Sequence, residues 1–259
     1  MTRFERLQAW STPTRRRADA WFPGPLIGGL ALVAGPALWC LGLLLRALPA
    51  HSDLLAPERW AELRARPFAA PMVLAMYEAG PDLVLTGFAV FMLGALVLAF
   101  AYPALAHLAA AASPRLAWWG ASLVVLGLFT RLYWAGVEQA AFVMTEQRGA
   151  EAAARFVLGA YPDLSYGPWR IVVWSSALHY LGFVLLAVAA YRSRVLGLAR
   201  GTALVWAGTM WGGVLKEAHL ADVLAAAAAC AALAPLGLRL LRGPAAGETR
   251  GLSPTIRWW

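Results

Sequence analysis

The sequence predicts an all-α fold, a polytopic integral membrane bundle of six transmembrane helices, and three observations carry that expectation. Of 259 residues, 61% are hydrophobic and only 14% charged, whereas a soluble domain needs roughly a quarter of its residues charged to wet its surface. The apolar residues gather into long runs, and a helix rising about 1.5 Å per residue needs roughly 20 of them to cross a ~30 Å hydrocarbon core. The net charge of +8 is also distributed unevenly between the segments that separate those runs.

The elements follow in order. Residues 1–22 carry Arg3, Arg6, Arg15, Arg16 and Arg17 with no long apolar core. They are expected to be a basic cytoplasmic segment rather than a secretory signal. The first span runs from Pro25 to Ala47, and an outer loop, 48–81, follows it, in which Pro57 opens a short surface helix. The second span covers Asp82 to Leu105 and the third Leu116 to Val137. A second outer loop, 138–168, holds a helix-forming stretch from Glu146 to Leu158 and a turn at Tyr161, Pro162 and Asp163. The fourth span is Trp169 to Tyr191. The fifth, Leu198 to Leu215, is short, and the polar turn Lys216, Glu217, Ala218 joins it to the sixth, His219 to Leu241. The 242–259 tail, rich in Gly, Pro and Arg, is expected to be a flexible cytoplasmic end. The bundle proper is therefore 23–241.

Arginine sets the orientation, because basic residues near span ends stay cytoplasmic during insertion. With the N-terminus inside, the cytoplasmic segments hold thirteen arginines against three acids, and the outer side holds the other eleven acids. Both termini are thus expected in the cytoplasm of a cell inner membrane. The basic balance reflects topology and anionic lipid, so no nucleic-acid partner is implied. Cys40 and Cys230 fall inside spans and read as small packing residues. His51, His107, His179 and His219 lie in separate segments without metal-ligand spacing. No metal or cofactor is expected.

A faint internal repeat runs through the first four spans. Leu41, Gly42, Leu43 and Arg46 recur 85 residues later as Leu126, Gly127, Leu128 and Arg131. Gly80 and Pro81 recur as Gly167 and Pro168, Leu93 and Gly94 as Leu181 and Gly182, and Ala101 and Tyr102 as Ala190 and Tyr191. A unit of two spans keeps its topology, so the copies would be parallel hairpins. The fifth and sixth spans would be a third hairpin without an outer loop.

Ionisable groups within spans are costly, so they pair, face the bundle interior or mark a site. Helical rise places Arg131 about 24 Å above Arg115, and Lys216 the same distance above Arg200. Asp222, and slightly deeper His179, join them in one outer-half layer, with Glu138 two turns beyond Arg131. This layer is the candidate site. Glu217, Asp222, His179 and Glu138 are the candidate acid–base residues. Arg131, Lys216, His219, Trp134, Trp174 and Tyr180 are the candidate substrate-binding set, the aromatics being suited to an isoprenoid- or quinone-like molecule. Three functions fit: a membrane-embedded enzyme using acid–base chemistry on a lipid-phase molecule, a non-catalytic subunit, assembly or immunity factor that binds a partner complex, and a small proton-coupled transporter. The partners implied are membrane lipid, a lipid-phase small molecule and a membrane protein.

Overall fold

The computed structural model describes residues 21–166, 170–209 and 214–242, with the side chains of 161, 162, 164–166 and 170–174 outside that description. The basic N-terminal segment, up to residue 20, and the tail from 243 lie outside the described residues. Among the described residues the regular elements are all helical. They are α1 (Gly24–Ala47), α2 (Pro57–Arg64), α3 (Ala70–Ala79), α4 (Pro81–Ala109), α5 (Pro114–Arg148), α6 (Ala150–Tyr166), α7 (Arg170–Arg192), α8 (Leu198–Thr209) and α9 (Leu220–Arg242), with a short 3-10 turn at Leu48–His51. Among the described residues four helices, α1, α4, α5 and α9, are long and apolar enough to cross a membrane. The chain is therefore a multi-pass helical membrane protein.

Several boundaries move. Helix α5 has 35 residues, continuing far beyond the Val137 expected as its end. The stretch from Glu138 to Arg148 contains neither Gly nor Pro, so nothing in it breaks the helix. The break comes at Gly149, whose φ of 80° suits only a residue without Cβ. Helix α6 then runs on to Tyr166, through the expected turn at Tyr161, Pro162 and Asp163. Of the expected fifth span, α8 covers Leu198–Thr209 and 210–213 lie outside the described residues, while 214–219 are non-helical instead of ending and beginning spans.

The bundle is assembled from close helix pairs, and glycine sets their spacing. A methyl group at Gly42 of α1 would lie 2.3 Å from the Phe91 nitrogen of α4, and one at Gly94 would lie 2.5 Å from the Trp39 nitrogen. Gly35 meets Leu98 in the same seam. In the α5–α7 pair, Gly127 meets His179, Gly182 meets Val124 and Gly120 meets Leu186. Each contact of the first pair has its counterpart in the second, shifted by 85 residues on the first helix and 88 on the second. The sequence offsets therefore recur as packing contacts. Helix α9 closes on α1 through Gly237, whose added methyl would sit 2.5 Å from the Gly29 carbonyl. The Cys40 thiol spans the same seam toward the Val223 carbonyl at 3.7 Å, and both cysteines are free.

A second apolar core lies at one end of the bundle, where the helices of the two long loops meet. Leu63 of α2, Met72 and Leu74 of α3, Phe142 of α5 and Ala153 of α6 are all buried in it. Tyr77 stacks on Phe142 at 4.5 Å and donates its hydroxyl hydrogen bond to Glu146. Over this core a ring of charge ties the loops together: Arg59 reaches Glu62 and Glu151 at 2.6 Å each, and Arg66 reaches the same two carboxylates at 2.7 and 3.0 Å. These side chains are partly exposed, so the ring orients the cap more than it stabilises it.

Candidate functional site

The layer of charge forms where helices α1, α5 and α9 meet the non-helical 214–219 segment, beneath the cap. Its chemistry begins with the backbone. A chain that leaves helical geometry within the bundle frees N–H and C=O groups, and at membrane depth these must find protein partners. Leu215 is fully buried and adopts φ 47°, a left-handed conformation that costs a leucine energy. Its N–H donates to Glu138 Oε1 at 3.1 Å. The next residue, Lys216, offers its carbonyl to Arg46 Nη2 at 2.8 Å. Two charged side chains from the spans thus hold consecutive residues of the broken segment.

Glu138 has a second task. Two helical turns separate it from Arg131, which brings both side chains to one face of α5, and they form an ion pair with 1% and 4% of their surfaces exposed. Burial of two charges is tolerated only when each is hydrogen-bonded and neutralised, and this pair meets that condition. The Arg131 guanidinium also lies 5.2 Å from the centre of the Phe91 ring, while Arg46 lies 4.8 Å from the same ring and 4.1 Å from Phe88. Arg46 and Arg131, the two arginines related by the 85-residue offset, therefore flank one aromatic ring.

Asp222 stands in the first turn of α9, where a carboxylate is favoured by the helix dipole. It accepts from the His219 N–H at 2.8 Å, closing the helix start, and sits 3.8 Å from Lys216 Nζ. Lys216 and Glu217 are half-buried and line a small cleft with Arg46 and Phe88. The volume of this cleft is about 10 Å³, room for one water.

The remaining candidates are placed apart from this fastening. His219 is exposed and enters through its backbone. His179 is buried on α7, and its Nε2–H donates to the Gly208 carbonyl of α8 at 3.1 Å, which requires the Nε2-protonated tautomer. It thereby joins α7 to α8, near Thr130 and Ser175, whose hydroxyls meet at 2.8 Å between α5 and α7. Trp134 is buried with its ring 5.0 Å from Tyr133, and Tyr180 is largely exposed beside His179. Trp174 lies outside the described side chains.

Sequence reasoning missed Arg46, Phe91 and the backbone of Leu215. The repeat had already matched Arg46 to Arg131, and that match was the signal available. The chain matches no protein-family model, no curated protein and no solved structure.

Proposed function

We propose that the chain crosses the membrane six times with both termini in the cytoplasm, as two parallel hairpins of common origin followed by a third. In this reading it is a non-catalytic membrane subunit or assembly factor, which offers its capped outer face to a partner protein in the cell membrane. One observation carries it: Glu138 neutralises Arg131 and accepts the Leu215 N–H at once. Asp222 is likewise engaged by the His219 N–H and His179 by the Gly208 carbonyl. Groups committed in this way secure backbone rather than transfer protons. The water-sized cleft is also far too small for an isoprenoid- or quinone-like molecule. A broken helix is often the mark of a transporter site. Here, though, protein side chains take the freed backbone groups, and fully buried residues such as Leu98, Val124, Leu186 and Leu204 fill the bundle on the side expected to face the cytoplasm.

Purification from native membranes in mild detergent tests this function. A stoichiometric protein partner, retained by Glu217→Gln and Asp222→Asn variants, is the expected result. Isolation of the chain alone, together with a chemical change in a co-purifying lipid-phase molecule that Glu217→Gln abolishes, would establish the enzyme instead. That second reading draws support from Glu217, which sits at the cleft beside two cations. Topology is checked separately by thiol labelling in a background lacking Cys40 and Cys230. Glu58→Cys should label from outside intact cells, and Arg115→Cys only after permeabilisation.

A further inference from the structure

We infer that the cleft beside Arg46 binds a phosphate group. Arg46 is 8% exposed, and among the described residues no carboxylate pairs with it. Its known partners are the Lys216 carbonyl and the faces of Phe88 and Phe91, and its Nε has no hydrogen-bond acceptor. Arg131, its counterpart in the repeat, has Glu138, and Lys216 has Asp222 nearby. Arg46 is thus a buried cation of the layer with no carboxylate in contact, drawn to Glu138 and Asp222 only across a distance while Arg131 repels it, and a buried charge without a contacting counter-charge is expensive. A guanidinium binds phosphate through parallel N–H donors, which suits it to this task better than a point charge.

The surroundings select among anions. Lys216, whose side chain is 41% exposed, adds a second cation at the cleft rim. Glu217 on the same cleft repels a bare anion but attracts an ammonium, so a headgroup carrying both charges fits best. The cleft admits little more than one oxygen, so the bulk of the ligand stays outside it. Arg46 falls in the last turn of α1, about 33 Å along the helix axis from Gly24. That length is close to one hydrocarbon thickness and puts the guanidinium at the outer end of its helix. A phospholipid headgroup and a free phosphate ion share the chemistry required. Neither depends on whether the protein serves as a subunit or an enzyme.

The test uses the full chain, delipidated in detergent, and native mass spectrometry with three probes: phosphatidylethanolamine, diacylglycerol of the same acyl chains, and inorganic phosphate. The phospholipid should bind at least about tenfold more tightly than diacylglycerol, the ratio expected for a charge-assisted hydrogen bond. Arg46→Gln should abolish that preference and Lys216→Gln should reduce it. If inorganic phosphate alone binds with the same sensitivity to both variants and the lipid does not, the source is the free ion and the phosphate site stands. Equal binding of diacylglycerol, or a phosphate preference untouched by Lys216→Gln, overturns the proposal. Lys216 is at the rim, so its variant decides the matter even where Arg46→Gln fails to fold.

Discussion

Replacing the Arg131–Glu138 pair by apolar residues should harm the protein less than removing either partner. Arg131→Met leaves the Glu138 carboxylate buried with the Leu215 N–H as its remaining described contact. An uncompensated charge at this depth costs about 3–5 kcal/mol. Glu138→Leu leaves the guanidinium uncompensated at a similar cost and also deprives Leu215 N–H of its acceptor, for about 1–3 kcal/mol more. The double variant buries no charge and retains only that backbone penalty of about 1–3 kcal/mol, because the apolar replacements conserve most of the volume. The coupling between the two sites should therefore be several kcal/mol and favourable. Reversible unfolding in mixed micelles of increasing denaturing-detergent fraction, followed by tryptophan fluorescence, measures all three variants. A double variant as unstable as Glu138→Leu, or penalties that simply add, would refute the view that each charge is tolerated because of the other.

Glycine spacing gives a paired expectation: Gly42→Ala should destabilise by about 1–3 kcal/mol, because the methyl lands on Phe91 backbone that has nowhere to retreat. Gly136→Ala on α5 meets nothing within 4 Å and should instead be neutral or stabilising by up to about 1 kcal/mol, and thermal melts of the two variants side by side would show whether the seams are as tight as described. At the cap, hydrogen bonds from Arg66 and then Arg59 hold the Glu62 and Glu151 carboxyls below the ordinary carboxylate range. Because the folded-state values are depressed, the ring's contribution is full above about pH 4.5 and is lost as pH falls through the lower folded values. Proteolysis of the 65–69 connection should accordingly rise in acid and stay constant from pH 6 to 8, and a cap that opens at neutral pH would contradict the ring's role. Tyr77 presents the opposite case: burial first, and its bond to Glu146 second, push its hydroxyl up to about 12 from an ordinary 10. Its contribution is complete below pH 10 and disappears as pH rises through 12, so Tyr77→Phe should flatten the stability profile in that window alone.

Much of the polar layer was legible from residue type and helical rise. Arg131, Glu138, Lys216 and Asp222 are costly in a span wherever they fall, and counting about 1.5 Å per residue puts Arg131, Lys216 and Asp222 at one depth with Glu138 two turns beyond. Their pairing was not legible. A composition that sums to zero suits links between helices, yet Arg131 finds Glu138 on its own helix, because α5 continues past the expected end of the span. His219 shows the converse: its imidazole drew notice, while its backbone N–H makes the contact. Arg46 was visible as the repeat partner of Arg131 but read as a span-end residue, since nothing in the pattern of side chains discloses that the Lys216 carbonyl needs a donor.

The sequence by itself determined the solvent, the helical class and the positions of most spans, because a lipid core imposes length and hydropathy on each segment separately. It also held the offsets that return as glycine contacts between α1 and α4 and between α5 and α7. Only the tertiary structure decided what the charges do. The non-helical 214–219 segment, with its left-handed turn at Leu215, leaves backbone groups that must be met inside the bundle. Side chains distant in sequence meet them, Arg46 from α1 and Glu138 from α5. Such demands belong to backbone geometry, which residue pattern does not record, so the purpose of the layer emerges only when the helices are packed.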